Sequence, residues 1–176
     1  MELVDHACSR PGIAETPLAA ATLREAGIFG ALSDEVLAVF AQTLATERFA
    51  AGDVIFSEGD AAHCLYVLLE GEVEVLKRSR HARDHRVAIL GPSDCFGEMS
   101  IVDMQARSAT VRAISPSRVV RVSSEDFDRL YRQDVRSYAL VALNIARDLS
   151  RRLRVADAIL AEVAGSVMDR YAKPPA

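Results

Sequence analysis

Apolar residues along this chain fall into three regimes. They recur three and four apart near the start, run in short blocks or alternate from about position 48, and return to helical spacing after position 124. The first regime predicts a helix over Leu18 to Ala26 and a tight connector at Gly27-Ile28-Phe29-Gly30-Ala31-Leu32. A second helix follows through about Ala45, with Ser33-Asp34-Glu35 as N-cap and acidic first turn. The second regime predicts strands at Val54-Ile55-Phe56, Cys64 to Leu69, Val73 to Leu76, Val87 to Leu90, Thr110 to Ile114 and Arg118 to Val122. Gly52-Asp53, Glu58-Gly59-Asp60, Glu70-Gly71 and Gly91-Pro92-Ser93-Asp94 cut them apart. In the third, Ser124-Glu125-Asp126 caps a helix beginning near Phe127, and a long helix runs from about Ser137 to Met168.

Short strands at this spacing, broken by glycine turns, predict an antiparallel barrel or jelly roll. The fold class expected is α+β: an antiparallel β-roll flanked by N-terminal helices and a long C-terminal helix. The expected organisation is a mobile lead-in over 1–17, one domain over 18–168 and a tail over 169–176. Within the domain, 18–47 are helical, 48–123 form the roll and 124–168 are helical again.

Composition narrows this further. The chain has 176 residues, 50% of them apolar and 26% charged, enough to bury the core of one domain. A disordered tail, a collagenous repeat and a disulfide-stapled miniprotein are excluded. With 21 basic and 25 acidic residues the net charge is −4, so nothing draws polyanions by bulk charge and direct nucleic-acid binding is not expected. Cys8, Cys64 and Cys95 form no CxxC pair and read as reduced thiols. The first twenty residues hold no apolar stretch, so no signal peptide is expected, and the longest apolar run, Tyr138 to Leu143, is far short of the roughly 20 residues of a membrane helix. A cytoplasmic protein without a membrane segment is expected.

The basic run Lys77 to Arg86 reads as a solvated hairpin tip. His81 and His85 lie within it, without a third ligand, and predict no metal site. Gly91 to Gly97 lacks the Gly-Lys-Ser/Thr ending of a P-loop, and no Ser/His/Asp or Cys/His arrangement is present. No enzyme is expected.

One segment carries chemistry: Phe96-Gly97-Glu98-Met99-Ser100-Ile101-Val102-Asp103-Met104-Gln105-Ala106-Arg107-Ser108-Ala109-Thr110-Val111. A helical turn starting near Met99 points backbone N–H groups outward, which suits a phosphate oxygen. Arg107 returns to supply a cationic fork, and Gly97 permits close backbone approach. Glu98 is unfavourable beside an anion unless the ligand also offers hydroxyl donors. A ribose 2′-OH next to a cyclic phosphodiester satisfies both demands.

This segment resembles the phosphate-binding cassette of cyclic nucleotide-binding domains, the family of the catabolite activator protein and of protein kinase regulatory subunits. The resemblance spans roughly residues 28–165, with turn glycines at Gly52, Gly59 and Gly71, then Gly91-Pro92, Phe96-Gly97-Glu98 and Arg107-Ser108-Ala109-Thr110-Val111 in order. It implies that Arg107 binds the exocyclic phosphate oxygens, helped by Ser108 and by N–H groups of Gly97, Glu98, Met99, Ser100 and Ala109. Glu98 would accept the ribose 2′-OH, and Ala88 would wall the base. Arg147, Asp148 and Arg151 are the candidate lid over the base. Serine at 108 implies cAMP ahead of cGMP, as the regulatory ligand of a bacterial sensor module that acts on an unknown effector protein. Two alternatives stand beside this: a transcription regulator of the activator-protein type without its helix-turn-helix, since only eight residues follow Met168, and a dimerisation adaptor with a vestigial pocket.

Independently of the resemblance, Ala142, Ala146, Leu149, Leu153, Ala156, Leu160, Val163 and Val167 recur alternately four and three apart. This heptad seam predicts a parallel homodimer through residues 149–167, with the stretch before Leu149 packed on its own barrel.

Overall fold

The computed structural model describes residues 18–79 and 83–172, with side chains described to Met168. The expected lead-in over 1–17, the hairpin tip at 80–82 with His81, and the end of the tail at 173–176 lie outside the described residues.

Two short helices open the fold, α1 (Ala20–Glu25) and α2 (Asp34–Thr43). Ser33 caps α2 by accepting from the Val36 N–H at 3.4 Å. Eight strands follow: β1 (Ala45–Phe49), β2 (Val54–Phe56), β3 (Cys64–Glu70), β4 (Val73–Arg78), β5 (Asp84–Leu90), β6 (Cys95–Phe96), β7 (Thr110–Ala113) and β8 (Ser117–Ser123). A single helical turn, α3 (Met99–Val102), lies between β6 and β7, and α4 (Ser124–Gln133) and α5 (Val135–Ala172) close the chain. The strands form two antiparallel sheets, β1-β8-β3-β6 and β2-β7-β4-β5. This is the helix-flanked β-roll expected from the sequence.

Two of the strands are not among those the sequence predicts. Residues 45–49 are strand, not the end of a helix, because Thr46 and Phe49 turn inward against β8. β6 is only two residues long and pairs Phe96 with Tyr66. Strand β3 explains how the layers join. Cys64, Tyr66 and Leu68 face the interior of the roll, while Leu65 and Val67 face a second core built with α1, α2, α4 and α5. A strand covered on both faces needs no polar alternation, hence the unbroken run Cys-Leu-Tyr-Val-Leu.

The turn from β3 into β4 requires glycine. Gly71 has φ +90°, and a Cβ there would lie 2.8 Å from the Ser117 Cα and closer still to the Pro116 carbonyl.

The cap of α4 is Ser123, one residue before the predicted Ser124. Its hydroxyl accepts from the Asp126 N–H at 3.2 Å while Asp126 accepts from the Ser123 N–H at 2.9 Å, a capping box. α5 begins at Val135, two residues earlier than expected, because Asp134 caps it through the Arg136 N–H at 3.1 Å. Its 38 residues measure about 57 Å at 1.5 Å per residue. Val141 and Ile145 are buried and Leu149 is partly buried against the core, but every described side chain from Leu153 to Met168 is exposed. No described helix is long and apolar enough to cross a membrane.

Candidate functional site

The site forms where β6, α3 and the loop into β7 meet the middle of α5. Gly97 makes the turn from β6 into α3 with φ +75°, and a Cβ there would stand 2.5 Å from Arg107 Nη1. Glycine is required twice over, by the backbone and by the guanidinium pressed against it. In α3 the first residue to bond back is Ile101, to the Glu98 carbonyl at 3.0 Å, so the N–H groups ahead of it lie outside the helix's own ladder.

The backbone of Arg107 is pinned to the β2–β3 turn. Its N–H donates to the Asp60 carbonyl at 2.8 Å, and its carbonyl accepts from the Gly59 N–H at 2.9 Å. Lys77 ties down the next residue by donating to the Ser108 carbonyl at 2.5 Å and to Glu58 at 2.7 Å. The basic run is therefore not all solvated tip, since its first member straps the loop that bears Arg107.

The Arg107 side chain is 3% exposed. Its Nη1 donates to the carbonyls of Cys64 (2.8 Å) and Gly97 (2.9 Å), and its Nη2 to Cys64 Sγ (3.2 Å). The guanidinium lies 4.0 Å from the centroid of Phe56 and 5.7 Å from that of Tyr66, rings that also stack with Phe96. Every one of these partners is neutral, and among the described residues no carboxylate forms an ion pair with Arg107. A buried cation held only by neutral groups is a site that favours an anion.

Glu98, buried as well, lies across the pocket. Arg152 Nη1 donates to its Oε1 at 3.2 Å, and Arg152 Nη2 donates to the Cys95 carbonyl at 2.5 Å and pairs with Asp148 at 2.8 Å. Burial pushes the Glu98 carboxyl above its ordinary value; Arg152 opposes this and Asp148 adds to it. Burial likewise drives the Cys95 thiol well up, and the Glu98 charge beside it adds to this.

The cavity between these groups, about 90 Å³, is walled by Phe56, Val75, Phe96 and Val111 and bordered by Gly97, Glu98, Met99, Ser100, Arg107, Ser108, Ala109 and Arg152. Seven of the sequence-predicted residues thus meet in one place. Ala88 does not line the cavity. It sits on β5 opposite Val75, and Val75 forms the wall. The three candidate lid residues are not among those that border it: Arg147 bonds Asn144 at 3.1 Å, Arg151 bonds Asp148 at 3.0 Å, and Asp148 pairs with Arg152, which does border it.

Sequence reasoning did not single out Arg152. The signal was available: Arg152 is three residues beyond Leu149 and four beyond Asp148, so it shares the face that packs on the roll. Among the described residues no cluster of His, Cys, Asp or Glu can hold a metal.

A family model described as the cyclic nucleotide-binding domain matches residues 46–134. A CRP-like cAMP-activated global transcriptional regulator of Mycobacterium tuberculosis is 33% identical over 150 residues, which are 82% of this chain and 65% of that one. The Cyclic AMP receptor protein of Thermus thermophilus is 37% identical over 60% of this chain and 47% of its own. The chain therefore spans about two thirds or less of these curated relatives. Among solved structures, the catabolite activator protein of Thermus thermophilus superposes with TM-score 0.69 at 31% identity over 78% of this chain and 63% of that one. A cyclic nucleotide-binding domain from Methylobacillus flagellatus reaches TM-score 0.75 at 24% identity, over 86% and 88% of the two chains, a likeness of fold.

Proposed function

The chain belongs to the cyclic nucleotide-binding domain family, and from that premise we propose that its pocket binds cAMP, ahead of cGMP, as a regulatory ligand. The observation that carries the reading is Arg107: 3% exposed, without a carboxylate partner among the described residues, and facing a cavity it shares with Glu98. The exocyclic phosphate oxygens pair with Arg107 and with N–H groups of the turn from Gly97 to Ser100 and of Ala109. Ser108 adds a hydroxyl near the phosphate. The ribose 2′-OH donates to Glu98, whose other partner, Arg152, keeps it oriented. The serine after Arg107 supports cAMP over cGMP by resemblance.

In this reading the working unit is residues 18–168, with its cassette at 96–111, in a non-enzymatic cytoplasmic regulator that does not itself contact nucleic acid. α5 carries the output, because one helix holds both Arg152 at the pocket and the exposed seam beyond it. That seam supports a parallel homodimer through residues 149–167 and a signal passed to an effector protein.

Calorimetric titration with cAMP, cGMP and cyclic dinucleotides tests the reading. Saturable binding of cAMP at one site per chain, tighter than cGMP, is expected. An absence of binding by both mononucleotides rejects it.

A further inference from the structure

Arginine offers five N–H donors in one plane, and the structure accounts for them unequally. Both Nη1 protons of Arg107 go to carbonyls, of Cys64 and Gly97, and one Nη2 proton goes to Cys64 Sγ. Nη1 and Nη2 together make the end edge of the guanidinium. A single residue covers both nitrogens of that edge, its carbonyl taking Nη1 and its sulfur taking Nη2. The Nε–H and the second Nη2–H, which make the side edge, have no acceptor among the described residues.

Either edge of a guanidinium matches two phosphate oxygens, so something must select one. The rings of Phe56 and Tyr66 cover the flat face and fix its tilt, which leaves the two edges equivalent. Gly97 holds Nη1 alone. We infer that Cys64 is a positioning residue that covers the end edge of Arg107 and so fixes the Nε/Nη2 edge as the one presented to the cyclic phosphate. The chemistry of sulfur suits the task. A thiol is a weak, polarisable acceptor, and it leaves the guanidinium charge undiminished for the ligand. A carboxylate in its place would compete with the phosphate. Cys64 is wholly buried at the start of β3 on its inward side, where the strand sets its position.

The inference rests on the cyclic nucleotide reading and makes a demand that the reading alone does not. If one edge is fixed, the two exocyclic oxygens are inequivalent, and replacing one by sulfur, a poorer acceptor, harms binding more than replacing the other. The experiment titrates the full chain calorimetrically with cAMP and with its two phosphorothioate diastereomers. Wild type, Cys64→Ala, Cys64→Val and Cys64→Ser are compared, with melting curves to confirm folding. Valine fills the space without an acceptor, so it serves if the alanine variant does not fold.

The wild type is expected to prefer one diastereomer. Alanine and valine should weaken cAMP binding by about threefold to tenfold and shrink the diastereomer preference by about threefold or more. Serine, which keeps an acceptor, should stay within about twofold of wild type on both measures. Equal losses for all three ligands with the preference intact would show a packing role only and overturn the inference. So would unchanged binding in the alanine and valine variants, or a wild type indifferent to the two diastereomers. A wild type that binds none of the three overturns the functional reading, and this inference with it.

Discussion

Arg152 on α5 donates to the Glu98 carboxylate at 3.2 Å, 54 positions back in the chain. Through this one contact the last helix of the fold touches the floor of the pocket. In the proposed reading a ligand hydroxyl that reaches Glu98 would meet Arg152 there, which would tie occupancy of the site to the position of α5.

Removing the fixed cation should abolish most binding. Arg107→Ala is expected to lose at least about 1.5–3 kcal/mol of cAMP affinity, the scale of a charge-assisted hydrogen bond to an anion. Calorimetry that finds equal affinity for variant and wild type rejects the phosphate role.

Glu98→Gln separates ribose from phosphate. The substitution should cost affinity for cAMP and much less for 2′-deoxy-cAMP, which has no hydroxyl to donate. Equal losses for the two ligands would remove the ribose role from Glu98.

The same residue imposes a pH dependence on stability. Its carboxyl titrates above the ordinary 4.5 because burial disfavours the charge. A raised carboxyl stabilises the fold fully below the unfolded value and loses that contribution as pH rises through the folded value. Relative to Glu98→Gln, the wild type should therefore lose melting temperature as pH climbs from below 4.5 towards neutrality. Arg152→Ala removes the cation that holds the carboxyl down, so the loss should occur at higher pH in that variant. Melting curves for the three proteins across this range settle both points; a difference independent of pH contradicts them.

Gly97→Ala introduces a Cβ 2.5 Å from Arg107 Nη1 at a backbone φ of +75°. The strained backbone alone costs about 1 kcal/mol, and the guanidinium must leave its carbonyl acceptors. Both melting temperature and nucleotide affinity should fall, and an affinity equal to wild type would show that Arg107 need not stay in place.

Beyond Arg152, α5 exposes Leu153 to 61% and Leu160 to 66%. Light scattering at micromolar concentration should report a dimer, and Leu153→Glu with Leu160→Glu should yield a monomer. A wild-type monomer with and without cAMP rejects the pairing.

Most of the roll was legible in the sequence because its strands are bounded by glycine and aspartate turns, and because Gly97, Glu98 and Arg107 keep the family's spacing. What escaped was set by tertiary context. β1 has no strong alternation of its own and becomes a strand by pairing with β8. Val75 displaced Ala88 as the wall because the sheet order sets β4 next to β7 and β5 outside it. Arg152 was hidden by charge: an arginine on a helix reads as wet unless its neighbours on the same face are known to be covered.

Strand β3 imposes a constraint of another kind, on how this chain can change over generations. Its successive side chains serve different cores, Cys64, Tyr66 and Leu68 the roll, Leu65 and Val67 the helices. One inserted or deleted residue would exchange the two sets wholesale, sending the cysteine beneath Arg107 out to the helical layer. A point substitution there disturbs one core at a time, whereas a change of length within β3 disturbs both at once.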